Sequence, residues 1–123
     1  MLSNCSAQTK DSISIEYKAV TRGSQISLIA NSNEIIYTSY DKNLDIELSK
    51  HQWAEIRDLV LSIDLDSMQK LIPPSTESHL DRAMIGSLLI NKNSKIYESS
   101  TFDHGNPPKE IKELIDTLFE LVD

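Results

Sequence analysis

Ser12-Ile13-Ser14-Ile15-Glu16-Tyr17-Lys18-Ala19-Val20 alternates polar and apolar residues without a break until its last position. On an extended chain Ile13, Ile15, Tyr17 and Ala19 point one way, and Ser12, Ser14, Glu16 and Lys18 the other. A period of two, carried by β-branched and aromatic side chains, is the mark of a half-buried strand. One apolar face needs a cover, so this stretch already asks for a layered fold.

The neighbouring segments extend the same pattern. Arg22-Gly23-Ser24 supplies a turn, and residues 25–31 return as a second strand with Ile26, Leu28 and Ala30 on one face. Asn31-Ser32-Asn33 is a tight turn, since asparagine tolerates positive φ. Residues 34–40 make a third strand, completing an antiparallel meander. Leu44, Ile46 and Leu48 continue the alternation as a short strand or an extended lead-in. Downstream, residues 82–91 read as a fourth strand, apolar on both faces and therefore central. Lys92-Asn93-Ser94 turns the chain, and residues 95–102 read as a fifth.

Two helices supply the cover. Ser49 with Gln52 three residues on is a capping box, and Trp53, Ile56, Val60 and Ile63 follow at helical spacing over residues 50–63. Leu65, Met68, Leu71 and Ile72 add a short helical turn that Pro73-Pro74 ends. At the C-terminus Ile111, Leu114, Ile115, Leu118, Leu121 and Val122 form one apolar stripe. Asn106 is placed to cap that helix, with Pro107 and Pro108 in its first turn. The expected fold is α+β in two layers: an antiparallel five-stranded sheet with two helices on one face, in the order βββ-α-ββ-α. Residues 12–123 form the domain. The other sheet face reads as mainly Ser, Thr, Glu, Lys and Asn, either solvated or a modest docking surface.

Charge and cysteine content narrow the function. Nineteen acidic residues outnumber twelve basic ones, for a net charge of −7. The lysines and arginines are scattered, so nothing resembles the clustered cations that displace counterions from nucleic-acid phosphates. No apolar run is long enough to span a bilayer. One cysteine cannot make an internal disulfide, which excludes a disulfide-built scaffold.

That cysteine has two readings. The window Leu2-Ser3-Asn4-Cys5-Ser6 is similar to the end of a bacterial lipoprotein signal, with Cys5 as the lipidated residue and residues 1–11 as the tether. The basic and apolar regions that such a signal needs upstream are missing from this sequence, and Asn4 is atypical. Alternatively Cys5 is a reduced thiol at the N-terminus of a cytoplasmic protein.

Chemistry can hide in two clusters. Phe102-Asp103-His104-Gly105-Asn106-Pro107-Pro108 is the densest run of special residues. Asp103 and His104, ahead of a helix, can bind an anion or orient a base; the plainer reading is a turn at Gly105 followed by helix entry. His79, Asp81 and Arg82 make the second cluster. If the two loops meet, His79 and His104 with Asp81 or Asp103 compose a two-histidine, one-carboxylate metal site; otherwise Asp81 or Asp103 pairs with Arg82 and orders a loop. Asp64-Leu65-Asp66-Ser67 begins like a calcium loop but has Gln69 where glycine is needed and Ser75 where an acid is needed. No nucleophile-elbow pattern is present.

The segment 96–108, with Ile96-Tyr97-Glu98-Ser99-Ser100 and the upstream Pro74-Ser75-Thr76 and Asp81-Arg82-Ala83, resembles a group of small uncharacterised bacterial envelope lipoproteins. The resemblance spans about residues 12–122. It implies an exported α+β domain and brings no known activity, no cofactor and no catalytic residues.

The leading expectation is therefore a non-enzymatic protein-binding or adaptor module of the cell envelope, held at a membrane only through Cys5. An acidic inhibitor or immunity-type protein that neutralises a basic protein partner is its specific form. The alternatives are a small metal-dependent or acid–base hydrolase built on His79, Asp81, Asp103 and His104, and a cytosolic structural subunit.

Overall fold

Ile13, Ile15, Tyr17 and Ala19 are all buried, and the strand that carries them is the centre of the sheet. The structure, a computed structural model, describes residues 11–77 and 83–123. Its strands are β1 (Ile13–Thr21), β2 (Ser24–Ala30), β3 (Glu34–Thr38), β4 (Asn43–Glu47), β5 (Ile85–Lys92), β6 (Lys95–Glu98) and β7 (Phe102–Asp103). Between β4 and β5 lie helix α1 (Lys50–Leu61) and a 3-10 segment (Leu65–Lys70); helix α2 (Lys109–Val122) ends the chain. All pairings are antiparallel, in the order β4-β3-β2-β1-β5-β6, with β7 also on β5.

The α+β class and the antiparallel sheet agree with the sequence reading; the five-strand, two-helix count does not. The alternation at Leu44 and Ile46 is a true strand, paired through Ile35 with Ile46 and Tyr37 with Leu44. The segment read as one strand over 95–102 is two. Ser99 breaks it: its Oγ accepts from the Leu88 N–H at 2.9 Å and donates to the Ser100 carbonyl at 2.7 Å, replacing a ladder bond. Ser100 then turns to the helical layer, its N–H donating to Met68 O at 3.1 Å and its hydroxyl to Leu71 O at 2.6 Å. The helical turn after α1 is 3-10.

The core lies between the sheet and the helices. Ile56 and Val60 of α1, Met68, and Ile111, Leu114, Ile115, Leu118 and Val122 of α2 join the buried residues of β1, β2, β3 and β5 in one cluster. Helix α1 starts at the expected capping box, with Ser49 Oγ accepting from Gln52 N and Gln52 Oε1 accepting from Ser49 N. Helix α2 starts differently from expectation. Pro108 occupies the N-cap position without a side-chain cap, and Asn106 instead donates to Ser75 Oγ at 2.8 Å. Both prolines are buried, so this entry is held by packing.

Candidate functional site

Asp103 and His104 are neighbours in sequence with separate tasks. β7 pairs with β5 through Ile85–Asp103 and Gly86–Phe102. Asp103 is only 2% exposed. Its Oδ2 accepts from the Ser75 hydroxyl and from the Glu77 N–H at 2.7 Å. The two loops that the sequence leaves unrelated therefore meet, at least through residues 75–77 and 103–106. The carboxylate acts there as an acceptor that fixes the loop. His104 is held by its own N–H to Met84 O at 2.8 Å and by its ring to Tyr17, with Nδ1 2.7 Å from the phenol oxygen.

That ring contact joins two groups whose ionisation burial opposes. Burial pushes the Tyr17 phenol well above its usual range and pushes the His104 imidazole below its own. Both shifts favour the uncharged forms, a phenol and a neutral imidazole joined by one hydrogen bond at Nδ1. Phe119 lies edge-on to Tyr17, with ring centroids 5.1 Å apart, and Phe102 packs on Tyr17 at 6.0 Å. Tyr17, Phe102, His104 and Phe119 thus form an aromatic cluster at the sheet–α2 junction. Among the described residues no three His, Cys, Asp or Glu side chains converge as metal ligands. His79, Asp81, Arg82 and Cys5 lie outside the described residues, as does the first ten-residue stretch of the expected tether.

The open face of the sheet is mainly polar, as the sequence suggests, and carries a minority of apolar residues whose places the register sets. Strand pairing aligns Asp45, Ile36, Ile29, Glu16, Leu89 and Glu98 in one row across six strands. Ile29 and Ile36 form a cross-strand pair, 40% and 37% exposed. Val20 and Ile85 form another, four residues along β1 and β5 from the Glu16–Leu89 pair, and Ile96 is exposed near the β6 edge. Alternation along one strand shows only one such residue at a time; the register sums them.

The chain matches no protein family, no curated protein and no solved structure.

The charges on this face are nearly all of one sign. Glu16, Glu34, Asp45, Glu47 and Glu98 project from it, against Lys18, which sits 3.5 Å from Glu16. Asp45 bonds to and repels Glu34, raising the Glu34 carboxyl above the usual carboxylate range. Two carboxylates kept this close on an exposed surface are relieved by any cation placed between them. No described helix is long and apolar enough to cross a membrane.

Proposed function

We propose that the protein is a non-enzymatic binding module whose open sheet face docks a basic protein partner. The observation that carries this is the row Ile36, Ile29 and Leu89 set among Asp45, Glu16 and Glu98. Apolar contact supplies affinity, and complementary charge supplies register and encounter rate. Six strands spaced about 4.8 Å apart and averaging about six residues give a face of roughly 600 Å². That is somewhat below the roughly 800 Å² each partner contributes to a standard interface. A second copy of the chain is a poor occupant, because it would set carboxylates against carboxylates. The acidic inhibitor form of the proposal follows from the same complementarity.

Localisation is proposed on the sequence window alone: Cys5 carries lipid and holds the module at the cell envelope. Palmitate labelling and intact mass on protein expressed from the native gene with its upstream codons test this. Lipid on the wild type and not on Cys5→Ala supports the anchor; an unmodified chain beginning at Met1 rejects it and favours the cytoplasm.

The docking face is tested by amide chemical-shift mapping with a peptide of alternating lysine and valine, against a control of alternating glutamate and valine. Saturable shifts centred on Ile29, Ile36 and Leu89, weakened by salt and about tenfold weaker in Ile36→Lys, support the proposal. Shifts mapping elsewhere, or equal binding of the glutamate peptide, reject it.

A further inference from the structure

β4 is an edge of the sheet: β3 pairs with one side of it, and no described strand pairs with the other. Its ladder to β3 runs without a bulge from Asn43–Thr38 to Glu47–Glu34. Bonds just beyond each end fix the phase of that ladder. Ser39 N–H donates to Lys42 O at 2.8 Å, and Leu48 N–H donates to Asn33 O at 2.9 Å. Opposed residues in an antiparallel pair alternate between bonded and non-bonded, so Leu44 and Ile46 turn their backbone groups to β3. Asn43, Asp45 and Glu47 turn theirs outward, each offering one N–H and one C=O along the free edge.

Free edges are normally blunted by lysine, proline, a bulge, shortness or a covering segment. The opposite edge of this sheet is treated in that way: β6 has four residues, begins at Lys95 and has the 3-10 segment packed against it. β4 has five residues, with no lysine, proline or bulge. Its protection is charge of one sign. Asp45 and Glu47 are exposed on the open face, and Glu34 stands opposite Glu47 with its carboxyl bonded to that of Asp45. Lys42, just before the strand, lies over the Tyr37 ring instead. A second copy of β4 paired about Asp45 would set that residue against itself, and like charges directly opposite are destabilising. The edge therefore rejects its own kind and favours a strand that carries cations. On the covered face Leu44 and Ile46 are only half-buried at the fringe of the core, so the same strand needs apolar side chains there.

We infer that β4 accepts an extended segment of the basic partner as an added antiparallel strand, in which lysine or arginine alternates with apolar residues. The cations lie beside Glu34, Asp45 and Glu47 on the open face, and the apolar residues beside Leu44 and Ile46. Each residue opposite Asn43, Asp45 or Glu47 exchanges both backbone bonds with it, and opposed side chains share a face. The cationic residues of the segment therefore supply the N–H groups that bond to β4, and those of its apolar residues face away. The partner's charge rests on the docking reading above; the open backbone edge does not.

The probe is the peptide of alternating lysine and valine, with two modified versions: one N-methylated on the lysine backbone nitrogens, the other on those of valine. The protein itself is unaltered, so its folding is not at issue. Amide hydrogen exchange reads the edge. Saturable slowing at Asn43, Asp45 and Glu47 by at least about tenfold supports the added strand. So does affinity at least about tenfold weaker on lysine methylation and within about threefold on valine methylation. No slowing at these amides, an equal effect of the two methylations, or a greater loss on valine methylation overturns it. The two readings fail separately. Shifts at Ile29 and Leu89 without protection along β4 keep the docking face and remove the strand; protection along β4 without those shifts does the reverse.

Discussion

Replacing Gly86 by alanine tests the packing that holds β7 and the aromatic cluster in place. A Cβ on Gly86 would stand 2.8 Å from Phe102 Cε1 and 2.9 Å from the Tyr17 oxygen. Ordinary carbon contacts are about 3.5–4.0 Å, so the methyl intrudes by roughly 0.7 Å or more. Neither ring has room to retreat. Phe102 is 2% exposed and Tyr17 1%, and the phenol is anchored to His104 at 2.7 Å. Overpacking of this kind costs about 1–3 kcal/mol, and alanine in a strand returns about 0.5–1 kcal/mol relative to glycine. The expected net loss is about 1–2 kcal/mol. With a urea slope of about 1–3 kcal/mol/M, the midpoint falls by roughly 1 M at unchanged slope. Phe102→Leu shortens the obstructing side chain. In the double variant the two losses should sum to at least about 0.5 kcal/mol more than the measured loss, because the residues are in contact. A Gly86→Ala midpoint equal to or above wild type would refute the reasoning, as would strict additivity with Phe102→Leu.

Three further outcomes follow from the same structure. His104 is held below its ordinary value of about 6.5 by burial, so the unfolded chain takes up a proton that the folded one refuses. Its contribution to stability is complete above about pH 6.5 and is lost as pH falls toward the folded-state value; the difference between wild-type and His104→Gln urea midpoints should shrink over that window, and a constant difference refutes the assignment. Ser94 sits at φ 71° in the β5–β6 turn, beside Asn93 at 53°, a conformation that glycine adopts freely. Ser94→Gly should raise stability by about 0.5–1 kcal/mol in urea melts, the relief of about 1–2 kcal/mol of left-handed strain less glycine's entropy; a lower midpoint contradicts it. Asp45→Asn should return the Glu34 carboxyl toward the ordinary range, since the neighbouring carboxylate raises it; an NMR titration of Glu34 that is the same in both proteins argues against that cause.

The candidate sites were legible to different degrees. Asp103 and His104 stand out in sequence because two ionisable residues precede a glycine and two prolines. Their roles were not readable, because Asp103 meets Ser75 and Glu77, 28 and 26 residues away, and His104 meets Tyr17, 87 residues away. Trp53 and Arg57 read as a core residue and a solvent-facing one; only the position of the β2–β3 turn makes their shared stripe one wall of a groove. Gly86 carries no local signal at all, since its need for a missing Cβ comes from Phe102 across the ladder.

Local periodicity by itself determined the strands at Ile13–Thr21 and Ser24–Ala30, both helices, the Ser49 capping box and the two-layer class. These depend on steric alternation and on hydrogen bonds spanning a few residues, which any short window of sequence contains. The tertiary structure alone decided the register, and with it the row of Ile36, Ile29 and Leu89. It also decided the split at Ser99, where a hydroxyl takes the place of a carbonyl, and the meeting of the 75–77 loop with Asp103. A one-residue slip in pairing would move each of those side chains to the other face. The energy that prevents the slip is burial of distant residues against one another, and no single segment holds both partners.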